Sequence, residues 1–250
     1  MEGARIGTRD PALQRMIAVP QRARSTARYA LLALALALGL FATPAAAVWT
    51  GFGDVRTGCN GTVFALATLP DGSLVAGGSF SECDGTPASN IARWDGVAWT
   101  SLGFGASNGV DGQVRALTVI GGALYVGGGF AQAGGTAANR VARWDGVAWS
   151  SLGTGASNGV SGNATVLALT AIGGDLYVGG NFTQAGGAQA GRVARWDGVI
   201  WSPLGSGTGN GVSNTVYALH AMGSDLYVGG AFVQAGGASA NRVARWNGAT

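Results

Sequence analysis

The 250-residue chain has no lysine, one histidine and two cysteines, and charged residues make up only 11% of it. Each scarcity removes a class of function. Beyond residue 47 the only glutamate is Glu82 and the only histidine is His220. Acid–base and nucleophilic catalysis need converging acids, bases and nucleophiles, and no triad partner for His220 can be named. His220 also occupies the repeat position that holds Thr118 and Thr170, which reads as a tolerated substitution. Two isolated cysteines, lacking further ligands at zinc-like spacing, do not make a structural zinc site. Proline is sparse at six residues, whereas glycine is abundant at 46. The glycines fall at repeating positions and so mark turns, not a low-complexity tract.

All 15 basic residues are arginine, and six of them (Arg5, Arg9, Arg15, Arg22, Arg24, Arg28) precede an apolar run over residues 30–41. Thr43-Pro44-Ala45-Ala46-Ala47 follows. This order predicts a secretory signal peptide over 1–47, cleaved after Ala47, with translation starting at Met1 or Met16. The 12-residue run falls short of the ~20 residues of a membrane span, which disfavours the alternative of an uncleaved anchor. With no twin-arginine pair, the general secretory route is expected. Residues 1–47 carry a balance of +4, while the nine arginines of 48–250 face ten acids. The basic character therefore belongs to the leader. The exported part has no clustered positive charge to hold nucleic acid or an anionic membrane, and neither is expected as a partner after cleavage.

One seven-residue stretch organises the rest. Arg143-Trp144-Asp145-Gly146-Val147-Ala148-Trp149 recurs at 93–99 and at 195–201, and a fourth copy starts at Arg245-Trp246-Asn247-Gly248. The four arginines are 50, 52 and 50 residues apart, a period that predicts a stacked or radial repeat. Each repeat holds four short segments rich in β-branched and aromatic residues, which read as strands. Strands one and two are joined by Asp71-Gly72, Gly121-Gly122, Gly173-Gly174 or Gly223-Ser224. Strands three and four are joined through Asp95-Gly96, Asp145-Gly146, Asp197-Gly198 or Asn247-Gly248, pairs suited to two-residue hairpins. The expected fold is all-β: a β-propeller of four-stranded antiparallel blades in the kelch size class. A β-solenoid is disfavoured because its coils repeat at shorter intervals. The repeats span about 62–103, 113–153, 165–205 and an incomplete 215–250. Residues 48–53, around Trp49, match a fourth strand and would supply the outer strand missing from the last blade. The alternative is a fragment of a larger propeller.

Cys59 and Cys83 flank the first two strands of repeat one on what should be the same face. A disulfide closing ~25 residues there would contribute ~3 kcal/mol. The arginine beside each tryptophan reads as a packed stem with a locally bonded head, and the aspartates of the hairpins read as turn residues. The candidate binding face is made of the connections on the cysteine side. Asn108, Asp111, Asn158 and Asn210 lie between strands four and one; Gln132, Gln184 and Gln234 lie between strands two and three. Asp111 suggests calcium only weakly, because the acids are too sparse for an oxygen cage. No metal, cofactor or catalytic residue is expected.

Asp71-Gly72-Ser73-Leu74-Val75-Ala76-Gly77-Gly78-Ser79-Phe80 is similar to the delta-60 type of bacterial β-propeller repeat. The unit from Leu176 to Gly187, together with Arg192 to Trp201, resembles repeats of exported bacterial kelch-like proteins and of the fungal cortical cell-polarity marker family. The resemblance covers 48–250 and implies a propeller at the cell surface or outside it, without assigned chemistry. Galactose oxidase shares the kelch-type blade, but its copper site needs two histidines, which one histidine excludes. The Ser-x-Asp-x-Gly-x-x-Trp box of sialidase-like propellers is missing. The expected function is an exported binding or structural module that presents its loops to a protein or glycan without catalysis. The alternatives are a polysaccharide-acting hydrolase or lyase, and a truncated gene fragment.

Overall fold

The computed structural model describes residues 58–105, 108–161 and 164–248. The expected leader and the expected outer strand 48–53 lie outside them. The first sheet consists of β1 (Thr62–Thr68), β2 (Leu74–Ser79), β5 (Ile91–Trp94) and β6 (Trp99–Ser101), paired in that order. A separate ribbon of β3 (Glu82–Cys83) and β4 (Thr86–Pro87) sits on the connection from β2 to β5. The second sheet has β7 (Val114–Ile120), β8 (Ala123–Gly128), β11 (Val141–Trp144) and β12 (Trp149–Ser151), with ribbon β9 (Gln132–Ala133) and β10 (Thr136–Ala137). The third has β13 (Val166–Ile172), β14 (Asp175–Gly180), β17 (Val193–Trp196) and β18 (Trp201–Pro203), with ribbon β15 (Gln184–Ala185) and β16 (Ala188–Gln189). The last has β19 (Val216–Met222), β20 (Asp225–Gly230) and β23 (Val243–Trp246), with ribbon β21 (Gln234–Ala235) and β22 (Ala238–Ser239). The expected blades of antiparallel strands are thus present, three with four strands and one with three among the described residues. The ribbons were not foreseen.

The turns form for local reasons. Gly121 and Gly122 both hold positive φ, 56° and 84°, as the two-residue loop from β7 to β8 demands. The outer hairpins differ from expectation by one residue. The Asp145 N–H donates to Ala148 O at 3.3 Å, so the central pair is Gly146-Val147, not Asp145-Gly146. Asp145 stands just before the turn, and its Oδ1 accepts the N–H groups of Val147 and Ala148 at 2.9 and 2.8 Å. Asp95 and Asp197 do the same, an Asx-type closure that a short carboxylate makes readily. The first inner hairpin also departs from two residues, with Pro70, Asp71 and Gly72 enclosed by a Leu69 N–H to Ser73 O pairing.

Packing between blades explains the pair of glycines near the end of β2, β8 and β14. A Cβ on Gly127 would collide with Val166 Cγ1 and lie 3.3 Å from Leu169 Cδ1. Gly77 stands in the same way under Val114 and Leu117, and Gly179 under Val216 and Leu219. At the second glycine, Gly128, a Cβ would collide with the Gln113 carbonyl oxygen. Val114, Val166 and Val216 are fully buried as a result. A one-residue bulge in each inner strand, as between Val114 and Ala116, bends the strand beside this contact. Further out, Phe130, Phe182 and Phe232 anchor the ribbons in the core. The cross-strand pairs Trp144–Trp149 and Trp196–Trp201 meet at 5.2 and 5.3 Å with tilted rings, an arrangement worth ~0.5–1.5 kcal/mol beyond the buried area.

The inner strands contact one another in series, β1 with β7, β7 with β13, and β13 with β19. Among the described residues the two ends of this series lack a further blade. Val63 and Leu66 on β1 are 40% and 60% exposed, and among the described residues a Cβ on Gly229 of β20 meets nothing beyond Ala218 of its own sheet. Gly127→Ala should therefore lower stability by ~1–3 kcal/mol through overpacking, while Gly229→Ala should change it by less than ~0.5 kcal/mol. Urea unfolding of the two variants checks this contrast at structurally equivalent positions.

Candidate binding face

The ribbons and the connections between blades share one face, and backbone hydrogen bonds clasp them together. The Val110 N–H donates to Ser89 O of the preceding blade at 3.0 Å, and the Asp111 N–H donates to Gln132 O of its own ribbon at 3.1 Å. Gly109 O accepts the Gly134 N–H at 2.8 Å. The same three bonds recur around Gly159, Val160 and Ser161, and around Gly211, Val212 and Ser213. Each Asn-Gly-Val segment is therefore a strip held between two blades. Glycine is required inside the strip, since a Cβ on Gly159 would collide with Asn139 O.

The side chains expected to form a binding face divide into two groups. Asn108, Asn158 and Asn210 are staples across blade junctions. Their Nδ2 groups donate to Pro87 O (3.2 Å), Ala137 O (2.8 Å) and Gln189 O (2.6 Å) of the preceding ribbon. Asp111 is committed as well: its Oδ1 accepts the N–H groups of Ala131 and Gln132 at 2.7 and 2.8 Å. Asn60 and Ser213 cap their own ribbons in the same way, so the position needs an acceptor and does not need a charge. Gln132, Gln184 and Gln234 are exposed, and of these Gln184 accepts from the Ser161 hydroxyl at 2.8 Å.

A cleft of about 580 Å³ opens on this face where the third blade meets the last, lined by Thr183, Gln189, Arg192, Asn210, Ser213 and Gln234. Only Asn210 and Gln234 stood out in the sequence. Arg192 is shaped by its backbone, which adopts a left-handed φ of 63°, as do Asn90, Arg140 and Arg242 at 63–66°. In that conformation the Arg192 N–H reaches Phe182 O at 3.2 Å while its carbonyl accepts the Gly180 N–H at 3.0 Å. Asn90 at the equivalent place was the available signal, because asparagine tolerates this region better than most residues.

Cys59 and Cys83 form the expected disulfide. Their backbones bridge as Val110 does with Ala133, Val160 with Ala185 and Val212 with Ala235. The first blade thus holds covalently what the others hold by a small apolar contact, and Cys83 is fully buried. The strand-three arginines pair with nearby carboxylates. Arg93 Nη2 is 2.7 Å from Asp71, Arg195 Nε is 2.6 Å from Asp175, and Arg245 Nη1 is 3.4 Å from Asp225. Arg143 has Ala123 where the third and last blades have aspartate, and lies 3.9 Å from Asp145 instead. His220 is exposed on β19, in register with Tyr227. Among the described residues no three of His, Cys, Asp and Glu gather as metal ligands would. The Ser73 hydroxyl, at 2.6 Å, is the main reason the Asp71 carboxyl sits below its ordinary value of 3.8. The turn N–H groups, led by those of Ala98, Ala148 and Ile200, lower Asp95, Asp145 and Asp197.

Residues 69–94, running from the first inner turn through β5, match the family described as "Domain of unknown function (DUF5122) beta-propeller". No curated protein matches the chain. Two solved structures, both of one extracellular domain from B. thetaiotaomicron, are similar to it at 10% and 9% identity, each with a TM-score of 0.47 over 75% of this chain. One is described as part of a one component system and the other as part of a hybrid two component system. The matched region is 21% of those chains. Repeated four-stranded blades and the family match together make this a β-propeller repeat chain.

Two expectations follow. A carboxyl held below its ordinary value stabilises the native state above that value, and the contribution is lost as pH falls through the folded-state value. Stability should therefore hold from neutral pH to about pH 4 and decline below it, as Asp71, Asp95, Asp145 and Asp197 protonate. Replacing Asp95, Asp145 and Asp197 together with asparagine, which keeps an acceptor, should flatten that decline in urea midpoints measured down to about pH 2. Reducing the Cys59–Cys83 bond, which spans 24 positions, should cost ~3 kcal/mol at neutral pH, read as the difference between oxidised and reduced unfolding curves.

Proposed function

We propose that the chain is an exported, non-catalytic module of the bacterial kelch-like and delta-60 kind, which holds a polar loop face toward a glycan or protein at or beyond the cell surface. The cleft between the third and last blades carries this reading. Its amides, hydroxyls and guanidinium (Gln189, Asn210, Gln234, Thr183, Ser213, Arg192) are the donors and acceptors that recognise hydroxyl-rich or peptide ligands. They stand on strands and clasped connections, so little ordering cost is paid on binding. The disulfide supports an oxidising compartment, in keeping with a cleaved leader over 1–47. The absence of catalysis is supported by how the recurrent carboxylates are used: Asp95, Asp145 and Asp197 close turns, Asp111 caps a ribbon, and Asp71, Asp175 and Asp225 hold arginines.

Secretion and binding are tested together. The chain, expressed from its own start, should appear outside the cytoplasm lacking residues 1–47. In titrations against a panel of soluble cell-wall and capsular polysaccharides and of envelope proteins, at least one should bind with no change in its length. Gln234→Ala and Arg192→Ala should weaken that binding by about 2- to 10-fold and about 10- to 150-fold, since a lost bond is worth ~0.5–1.5 kcal/mol for a neutral group and ~1.5–3 kcal/mol for a charged one. Retention in the cytoplasm, or cleavage of a bound polysaccharide, would refute the reading.

A further inference from the structure

The junctions between described blades are built alike on the loop face, but two repeat positions change from one to the next. They hold Asn90 and Asp111 at the first junction, Arg140 and Ser161 at the second, and Arg192 and Ser213 at the third. At the first two, these groups are spent inside the fold. Asn90 Nδ2 donates to Val110 O at 2.9 Å, and the Asp111 carboxylate caps its ribbon while adding a negative charge. Arg140 Nε donates to Ala164 O at 3.2 Å, and the Ser161 hydroxyl donates to Gln184 Oε1 at 2.8 Å.

The third junction is the cleft between the third and last blades, and there the donors are unspent. Arg192 is half-buried, and among the described residues its guanidinium makes no hydrogen bond or ion pair. Arg93, Arg195 and Arg245, by contrast, each hold a carboxylate. No described Asp or Glu lines the cleft. Ser213 Oγ accepts the N–H groups of Val233 and Gln234 at 3.2 and 3.1 Å, which uses its lone pairs and leaves its own proton to donate outward. One cation and several neutral donors without an acid make a setting for an anion. The volume of about 580 Å³ falls in the range of about 300–1,000 Å³ found for small-ligand sites.

Two further observations narrow the anion. No described aromatic ring lines the cleft, so a neutral sugar finds no flat apolar surface, and affinity falls to charge-assisted bonds, about twice as strong as neutral ones. The backbone of the cleft is already paired: the Val212 N–H donates to Gly191 O at 2.8 Å, the Ser213 N–H to Gln234 O at 3.0 Å and the Gly236 N–H to Gly211 O at 2.9 Å. An extended peptide adds to a protein through unpaired edge groups, and these are closed to it. We infer that the cleft takes a carboxylate-bearing polysaccharide, with one uronate carboxylate on the Arg192 guanidinium and the Ser213 hydroxyl, and the Thr183, Gln189 and Gln234 side chains on the flanking sugar hydroxyls. This rests on the reading of the cleft as the binding site and adds the charge of its ligand.

Calorimetric titration of the full chain tests this with polygalacturonate and alginate, each as the acid and as its methyl ester, and with poly-glutamate. At least one of the two acids should bind, and esterification, which removes the charge and keeps the sugar, should weaken it by about tenfold or more. Ser213→Asp gives this junction the carboxylate that Asp111 supplies at the first, where it caps its ribbon as well as serine does. The variant should keep the wild-type circular dichroism and lose binding to the same extent. Arg192→Asn copies Asn90, which has the same φ of 63°, and should do likewise. If either variant unfolds, the ester comparison decides. Binding that esterification leaves intact, poly-glutamate bound as tightly as the uronates, or binding to neutral polysaccharides alone overturns the inference while the module reading stands. No binding by any glycan or protein of the panel overturns both.

Discussion

The structure depends on a valine pressed onto a glycine. A single four-stranded blade of ~50 residues has two faces and too little mass to bury both, so each blade needs its neighbours. The contact of Val166 with Gly127 is how that need is met, and its geometry dictates much of the repeat. The first glycine of each pair makes room for the neighbouring blade. The second makes room for the carbonyl that enters the inner strand, and the bulge sets the valine against its partner. A high glycine content would normally weaken strands, through entropy and lost side-chain packing. Here glycine at these positions is the condition for burying valine, so removing it would cost more than the entropy it saves.

Legibility followed sequence distance. The inner strands at 114–120, 166–172 and 216–222 are the residues expected, because alternation and a Gly-Gly or Gly-Ser turn are local signals. The outer hairpins were placed correctly but read one residue early. Asp145 resembles a turn residue by composition, yet it acts through its side chain from the position before the turn. The ribbons were missed because two-residue strands carry no period and depend on partners elsewhere. Val160, for example, bridges to Ala185, 25 positions away. The asparagine staples were hidden for the same reason, since Asn158 reaches back to Ala137 across a blade junction.

The disulfide shows what comparison between repeats adds. In isolation, Cys59 and Cys83 read as two cysteines on one face. Aligned by the bridges they make, they occupy the places of Val110 and Ala133 in the next blade. The bond thus replaces an apolar contact at a position that every blade closes, and it does so in the blade whose inner face is least covered, where Val63, Phe64 and Leu66 are all exposed. A covalent closure is most useful where, among the described residues, a neighbouring blade packs on only one side of the strand.

The same comparison separates scaffold from site. Residues that recur from blade to blade, such as the three staples and the three turn aspartates, make bonds inside the fold. Function should then concentrate where blades differ. Gln189 stands where the other ribbons have Pro87, Ala137 and Ser239, and Thr183 stands where they have Ser81, Ala131 and Val233. Both line the polar cleft between the third and last blades, beside Arg192. A repeat builds near-identical junctions by default, so the polar lining of this cleft reflects substitutions that the packing did not require. Neither Gln189 nor Thr183 is needed to bury Val166 or Val216, and the valine-on-glycine contact beneath them is the same as at the other junctions. The scaffold tolerates their variation because their chemistry is directed outward.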